Sequence, residues 1–185
     1  MKHRDHRLLG QYLLSIRPEQ WREEGQRRAF LVGCVLPDYN PFTYLRGIAE
    51  SRRMVGHNAR YSEKHIEKVA HRLQRKGIRG VADAYALGTL IHYLADSFTY
   101  VHTESFREGM REHNRYEREL RNVFPILLTD QLRHTPPAPV DDLLGFLKTE
   151  RVRYDGYPKS MKNDAIRILR VCAVVFCSIC REKRE

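Results

Sequence analysis

His92-x-x-x-Asp96 and His113-x-x-x-Glu117 each set an imidazole four residues before a carboxylate, twice within 26 residues, with His102 between the pairs. On a helix an i, i+4 pair shares one face, so each pair presents two ligand atoms in the same direction. Imidazole nitrogen and carboxylate oxygen form the ligand set of a borderline metal such as zinc. Two such pairs with a further histidine between them read as a multinuclear metal site. Multinuclear zinc most often serves the hydrolysis of phosphate esters.

His92 and Asp96 lie in Thr89-Leu-Ile-His-Tyr-Leu-Ala-Asp-Ser-Phe98, within the most apolar segment of the chain. A carboxylate buried there is costly unless it is neutralised by a hydrogen bond to His92, by an arginine or by a metal ion. A lone His-x-x-x-Asp would favour the hydrogen bond. The second pair, with acidic and histidine positions upstream, turns the reading toward a metal. His102 follows His92 by ten residues, which on an unbroken helix is about 80° off its face and about 15 Å along the axis. The β-branched and aromatic run Thr99-Tyr-Val-His-Thr103 marks a helix end. Beyond such an end His102 pairs with His113 and Glu117, and two histidines with one carboxylate leave open positions on an ion, as catalysis requires. His65, His71 and His134 stand in charged neighbourhoods and read as surface or satisfied core residues.

The elements that position these residues are helical. Leu8, Leu9, Tyr12, Leu13 and Ile16 form a stripe of helical period over 6–16, closed by Pro18. A second helix is expected over 21–35, and Leu36-Pro-Asp-Tyr-Asn-Pro41 breaks it. Residues 42–57 read as a long loop or short helix. An amphipathic helix over 58–76 stops at Gly77, and an apolar, central helix runs from Val81 to about Thr99. A helical stretch from Glu104 to His134 should be kinked or split by Pro125. The extended Thr135-Pro-Pro-Ala-Pro139, a short helix over 141–153 and a last helix to about Lys183 complete the chain. No segment alternates with the period of a strand. The expectation is an all-α, single-domain bundle of about seven helices spanning 1–185.

Apolar residues make up 42% of the sequence, which excludes a disordered chain, and 33 Lys and Arg against 23 Asp and Glu give a formal charge of +10. That balance favours anionic partners: phosphate esters, nucleic acid, or peripheral contact with an anionic membrane. Met-Lys-His-Arg-Asp-His6 carries no apolar signal region, and no apolar run reaches transmembrane length. A cytoplasmic location is therefore expected, with Cys34, Cys172, Cys177 and Cys180 reduced. Cys177-x-x-Cys180 lies in an apolar stretch without a second such motif, and reads as buried helix cysteines.

Four segments carry a resemblance: Phe30-Leu-Val-Gly-Cys-Val-Leu-Pro-Asp38, Gly56-His57, Leu87-Gly-Thr-Leu-Ile-His-Tyr-Leu-Ala-Asp-Ser-Phe-Thr-Tyr-Val-His102, and His113-x-x-x-Glu117. Together they resemble the zinc-dependent phospholipase C family, whose fold the three-zinc single-strand nucleases share. The resemblance runs from about His6 to Glu117. It implies two or three zinc ions in a cleft between helices. Asp38, His57, His92 and Asp96 would hold the first. Asp96 would bridge to a partner ion also held by His6, with His3 the alternative, and His102, His113 and Glu117 would hold the remaining one. The secreted members supply the amine and carbonyl of an N-terminal Trp to the partner ion; this chain departs from them, since Trp21 is internal and Met1 would offer its amine only if deformylated and retained, the ion otherwise being weakly bound or absent.

The implied activity is phosphodiester hydrolysis by a metal-activated hydroxide, with Asp38 orienting the water and phospholipid as substrate. A single-strand nuclease or nucleotidase is the alternative, favoured by the charge and by Tyr39, Phe42 and Tyr44 beside Asp38, which could stack bases. A zinc-containing helical protein that binds a phosphorylated partner without turnover is a third reading.

Overall fold

The computed structural model describes residues 1–39, 59–103, 105–131 and 135–181. Among these are seven α-helices and no strand: α1 (His3–Ile16), α2 (Glu24–Val35), α3 (Ala59–Lys76), α4 (Val81–Ser97), α5 (Met110–Gln131), α6 (Leu143–Gly156) and α7 (Met161–Ile179). Short 3-10 turns cover Pro18–Gln20, Leu36–Tyr39 and Tyr100–His102. The fold is all-α, as the periodicity predicts. No helix among the described residues is long and apolar enough to cross a membrane.

The two most apolar segments, α4 and α7, occupy the interior. From Val171 to Ile179 every side chain of α7 is buried, and Trp21 stacks on Phe176 at 5.7 Å with Phe30 packed beside them. All four cysteines are free and buried. Local signals set the helix ends. Asp142 and Ser160 cap α6 and α7 by accepting from the backbone of Gly145 and Asn163, and Gly77 adopts φ 71° to close α3.

The contact that matters most for the site joins α2 to α4. A Cβ added at Gly33 would collide with the Tyr85 carbonyl, and one at Gly88 with the Phe30 carbonyl. Only glycine at both positions lets the two backbones approach this closely. The approach fixes the end of α2 against the middle of α4, so the turn Leu36–Tyr39 carries Asp38 to His92.

Several boundaries differ from expectation. α1 begins at His3, which places His6 at the end of its first turn. Pro18–Gln20 forms its own turn, so α2 starts at Glu24 instead of Trp21. α5 starts at Met110, not Glu104, and runs unbroken through Pro125; tertiary packing of Leu120, Phe124 and Leu128 into the core outweighs one missing backbone hydrogen bond.

Candidate metal centre

Four elements converge on one buried carboxylate. Asp96, in the last turn of α4, is 4% exposed. Its Oδ2 lies 3.3 Å from His92 Nε2 on the same helix face. Its Oδ1 lies 3.2 Å from His6 Nε2 of α1, 3.7 Å from His102 Nε2 of the 3-10 turn and 2.7 Å from the Met1 amine. Asp38 Oδ1 approaches His92 Nε2 at 3.6 Å. His6, Asp38, His92 and Asp96 thus bring ligand atoms within 4.8 Å of one another.

A second group stands alongside. α4 ends at Ser97, as the Thr99–Thr103 run predicts, and the chain turns to aim His102 at α5. His102 Nε2 and His113 Nε2 lie 3.6 Å and 3.5 Å from Glu117 Oε1, with the two rings perpendicular. Their ligand atoms also fall within 4.8 Å. The Met1 amine sits between the groups, 3.3 Å from Glu117 Oε1 and 3.2 Å from His102 Nε2. Lys2 Nζ reaches Glu117 Oε2, a contact with no sequence signal.

Electrostatics follow from burial and this crowding. Burial pushes the His6 imidazole down to about 3, reinforced by the charge of His92. Burial likewise lowers His102. Burial alone would raise Asp96, but the Met1 amine, His102, His6 and His92 outweigh it and hold the carboxyl well below the ordinary range. Glu117 is lowered too: hydrogen bonds from His102 and His113, with the Met1 amine, overcome its burial. Burial raises Asp38. Burial opposes the charged forms of His92 and the Met1 amine, yet nearby carboxylates raise both.

The residues fit zinc. His6 Nε2 is buried and faces only the Asp96 carboxylate, without a hydrogen bond of good geometry among the described residues, and a metal ion between the two would satisfy both groups. His6 stacks on His92 with centroids 4.0 Å apart, so both rings direct Nε2 at the same carboxylate. His92 Nδ1 meets the Cys34 carbonyl at 2.9 Å, which places the proton on Nδ1 and leaves Nε2 as the inward lone pair. His6 and His102, held toward the neutral form, and Asp96 and Glu117, held ionised, are already in the donor forms zinc takes, whereas His92, raised by its carboxylates, would release its Nε2 proton on binding.

Of the residues singled out from the sequence, His6, Asp38, His92, Asp96, His102, His113 and Glu117 come together, while His57 lies outside the described residues, as do Phe42, Tyr44 and the Tyr39 side chain. His3 is exposed. A cavity of ≈ 520 Å³ opens beside His102, with apolar Leu94, Phe98 and Leu147 in its walls and Arg151, Lys159 and Asp155 among its charged residues.

The family model described as zinc-dependent phospholipase C matches residues 5–154. The chain belongs to the zinc-dependent phospholipase C family. It matches no curated protein and no solved structure. The family match takes in every side chain of both ligand groups and extends beyond Glu117 to Tyr154 in α6. α7 falls outside it, although its apolar side chains fill the core beneath the zinc-dependent phospholipase C segment.

Proposed function

We propose that the chain is a zinc-dependent phosphodiester hydrolase of phospholipase C type. In this reading His6, Asp38, His92 and Asp96, with His57 from outside the described residues, would hold a pair of ions that share Asp96, and His102, His113 and Glu117 would hold a third. The observation that carries it is Asp96, a buried carboxylate whose two oxygens face ligands of both groups. When bound, zinc supplies Lewis-acid polarisation of phosphoryl oxygens and a water acidified toward neutrality.

The chain's own residues set the geometry for that chemistry. The Cys34 carbonyl fixes the His92 tautomer. The close packing of α2 on α4 holds Asp38 at the rim of the group, with its side chain 24% exposed against 6% for Asp96. Asp38 is therefore the carboxylate that meets solvent, and we assign it the orientation of the attacking water.

The cavity beside His102 favours a lipid arm over a nucleobase. Its walls include Leu94, Phe98 and Leu147, and the Phe98 ring is already covered by the Arg151 guanidinium at 4.4 Å. A base would need an uncovered aromatic face. The single-strand nuclease reading rests on the formal charge of +10 and on Tyr39, Phe42 and Tyr44, whose side chains lie outside the described residues. Zinc-reconstituted protein assayed on micellar phosphatidylcholine and on single-stranded DNA decides between them. Turnover of the lipid is expected; cleavage of the DNA alone would replace the lipid reading, and turnover of neither would leave a non-catalytic zinc protein.

A further inference from the structure

Asp164 is the fourth residue of α7, beyond the family match, and its carboxylate is fully buried. Three donors from three elements reach it. Oδ2 accepts from the Tyr100 backbone N–H at 2.6 Å and from the Tyr116 hydroxyl at 2.7 Å. Oδ1 accepts from the Tyr154 hydroxyl at 2.9 Å. Tyr100 opens the 3-10 turn that ends at His102, and Tyr116 immediately precedes Glu117, three residues after His113. One oxygen thus ties the backbone that carries His102 to the helix that carries its two partners. A buried carboxylate with three donors is a rigid anchor, because releasing any one leaves charge unsolvated.

We propose that Asp164 is a positioning residue for the His102, His113 and Glu117 group, holding the 3-10 turn and α5 in the register at which their ligand atoms converge. This rests on the zinc assignment above. Asp164 touches neither ligand group, so its effect passes through Tyr100 and Tyr116. The Tyr154 bond ends on the same carboxylate but leads to α6, away from the ligands, and so provides an internal control.

The test is zinc affinity and stoichiometry in full-length variants, with folding followed by circular dichroism. Asp164→Ala should weaken one zinc site by about 10–100-fold, the range for loss of a partner that orients ligands, and leave the others. His113→Ala should remove the same ion, so adding Asp164→Ala to it should remove nothing more. Tyr154→Phe should lower stability with zinc affinity unchanged. If Asp164→Ala does not fold, Tyr116→Phe and Asp164→Asn take its place, each with a several-fold loss at that one site. Wild-type affinity in the folded variants overturns the proposal, as does a loss spread equally over both groups and matched by Tyr154→Phe. Wild-type protein that binds less than one zinc would instead overturn the zinc assignment. Imidazole NMR of metal-free protein then decides the role of Asp164: His102 and His113 resonances should move in Asp164→Ala while those of His6 and His92 stay, and unmoved His102 and His113 signals reject it.

Discussion

A Cβ placed on Gly33 of α2 would lie 3.1 Å from the Cα of Gly88 on α4, and would collide outright with the Tyr85 carbonyl. These two glycines let the helix that leads to Asp38 lie directly on the helix that carries His92 and Asp96. Gly88→Ala should therefore destabilise the fold by about 1–3 kcal/mol through overpacking and reduce zinc content at the Asp38/His92 group. Chemical denaturation with metal analysis of the folded fraction checks both effects. Wild-type stability would mean that the helices can separate without penalty.

Asp96→Asn tests the bridge. Asp96 Oδ1 and Oδ2 face His6 and His92 respectively, so an amide should release two ions together and lower thermal stability, since metal binding contributes folding energy. Loss of a single ion would show that Asp96 serves only one.

The Met1 amine lies 2.7 Å from Asp96 and 3.2 Å from His102 Nε2. If it is a ligand of the partner ion, a peptide tag fused ahead of Met1 should empty that site and depress turnover, with the ion at His102, His113 and Glu117 retained. His6→Ala should do the same, and His3→Ala should not. Equal zinc and equal activity with and without the tag would exclude the amine.

Acid should destabilise the metal-free protein before its carboxylates titrate. Folded His6 stays neutral down to about 3, against a usual value of 6.5. Within that window the unfolded chain binds the extra proton, so stability falls as pH falls. His102, also lowered, acts in the same direction. Asp96 and Glu117, held below the carboxylate range, add their loss below a pH of about 4. His92, raised, opposes this, and with the raised Met1 amine it contributes stability that is lost on the alkaline side. Urea denaturation of metal-free wild type and His6→Asn across pH 4–7 should give a flatter profile for the variant. Parallel profiles would show that His6 titrates normally.

Much of this site is legible because helix periodicity is strict. The spacing of His92 and Asp96, and of His113 and Glu117, dictates a shared face, and the residues at Thr99–Thr103 announce the break that returns His102 toward α5. Asp38 is legible only through the family motif, since an aspartate after proline in a turn is otherwise ordinary. Gly33 and Gly88 carry no such signal: a glycine within a helical pattern reads as a weak point, and only the partner backbone reveals its purpose. Asp164 is hidden for a similar reason. An acidic residue in the first turn of a helix is accounted for by the helix dipole alone, and the donors that converge on it come from segments 10, 48 and 64 residues away in sequence.

Zinc per folded chain, measured by elemental analysis after reconstitution and removal of loosely bound metal, tests the central claim most directly. Two ligand groups joined through Asp96 predict two or three equivalents, falling by the ion of the second group in His113→Ala. Less than one equivalent in the wild-type protein would contradict the multinuclear centre and the hydrolytic function built on it.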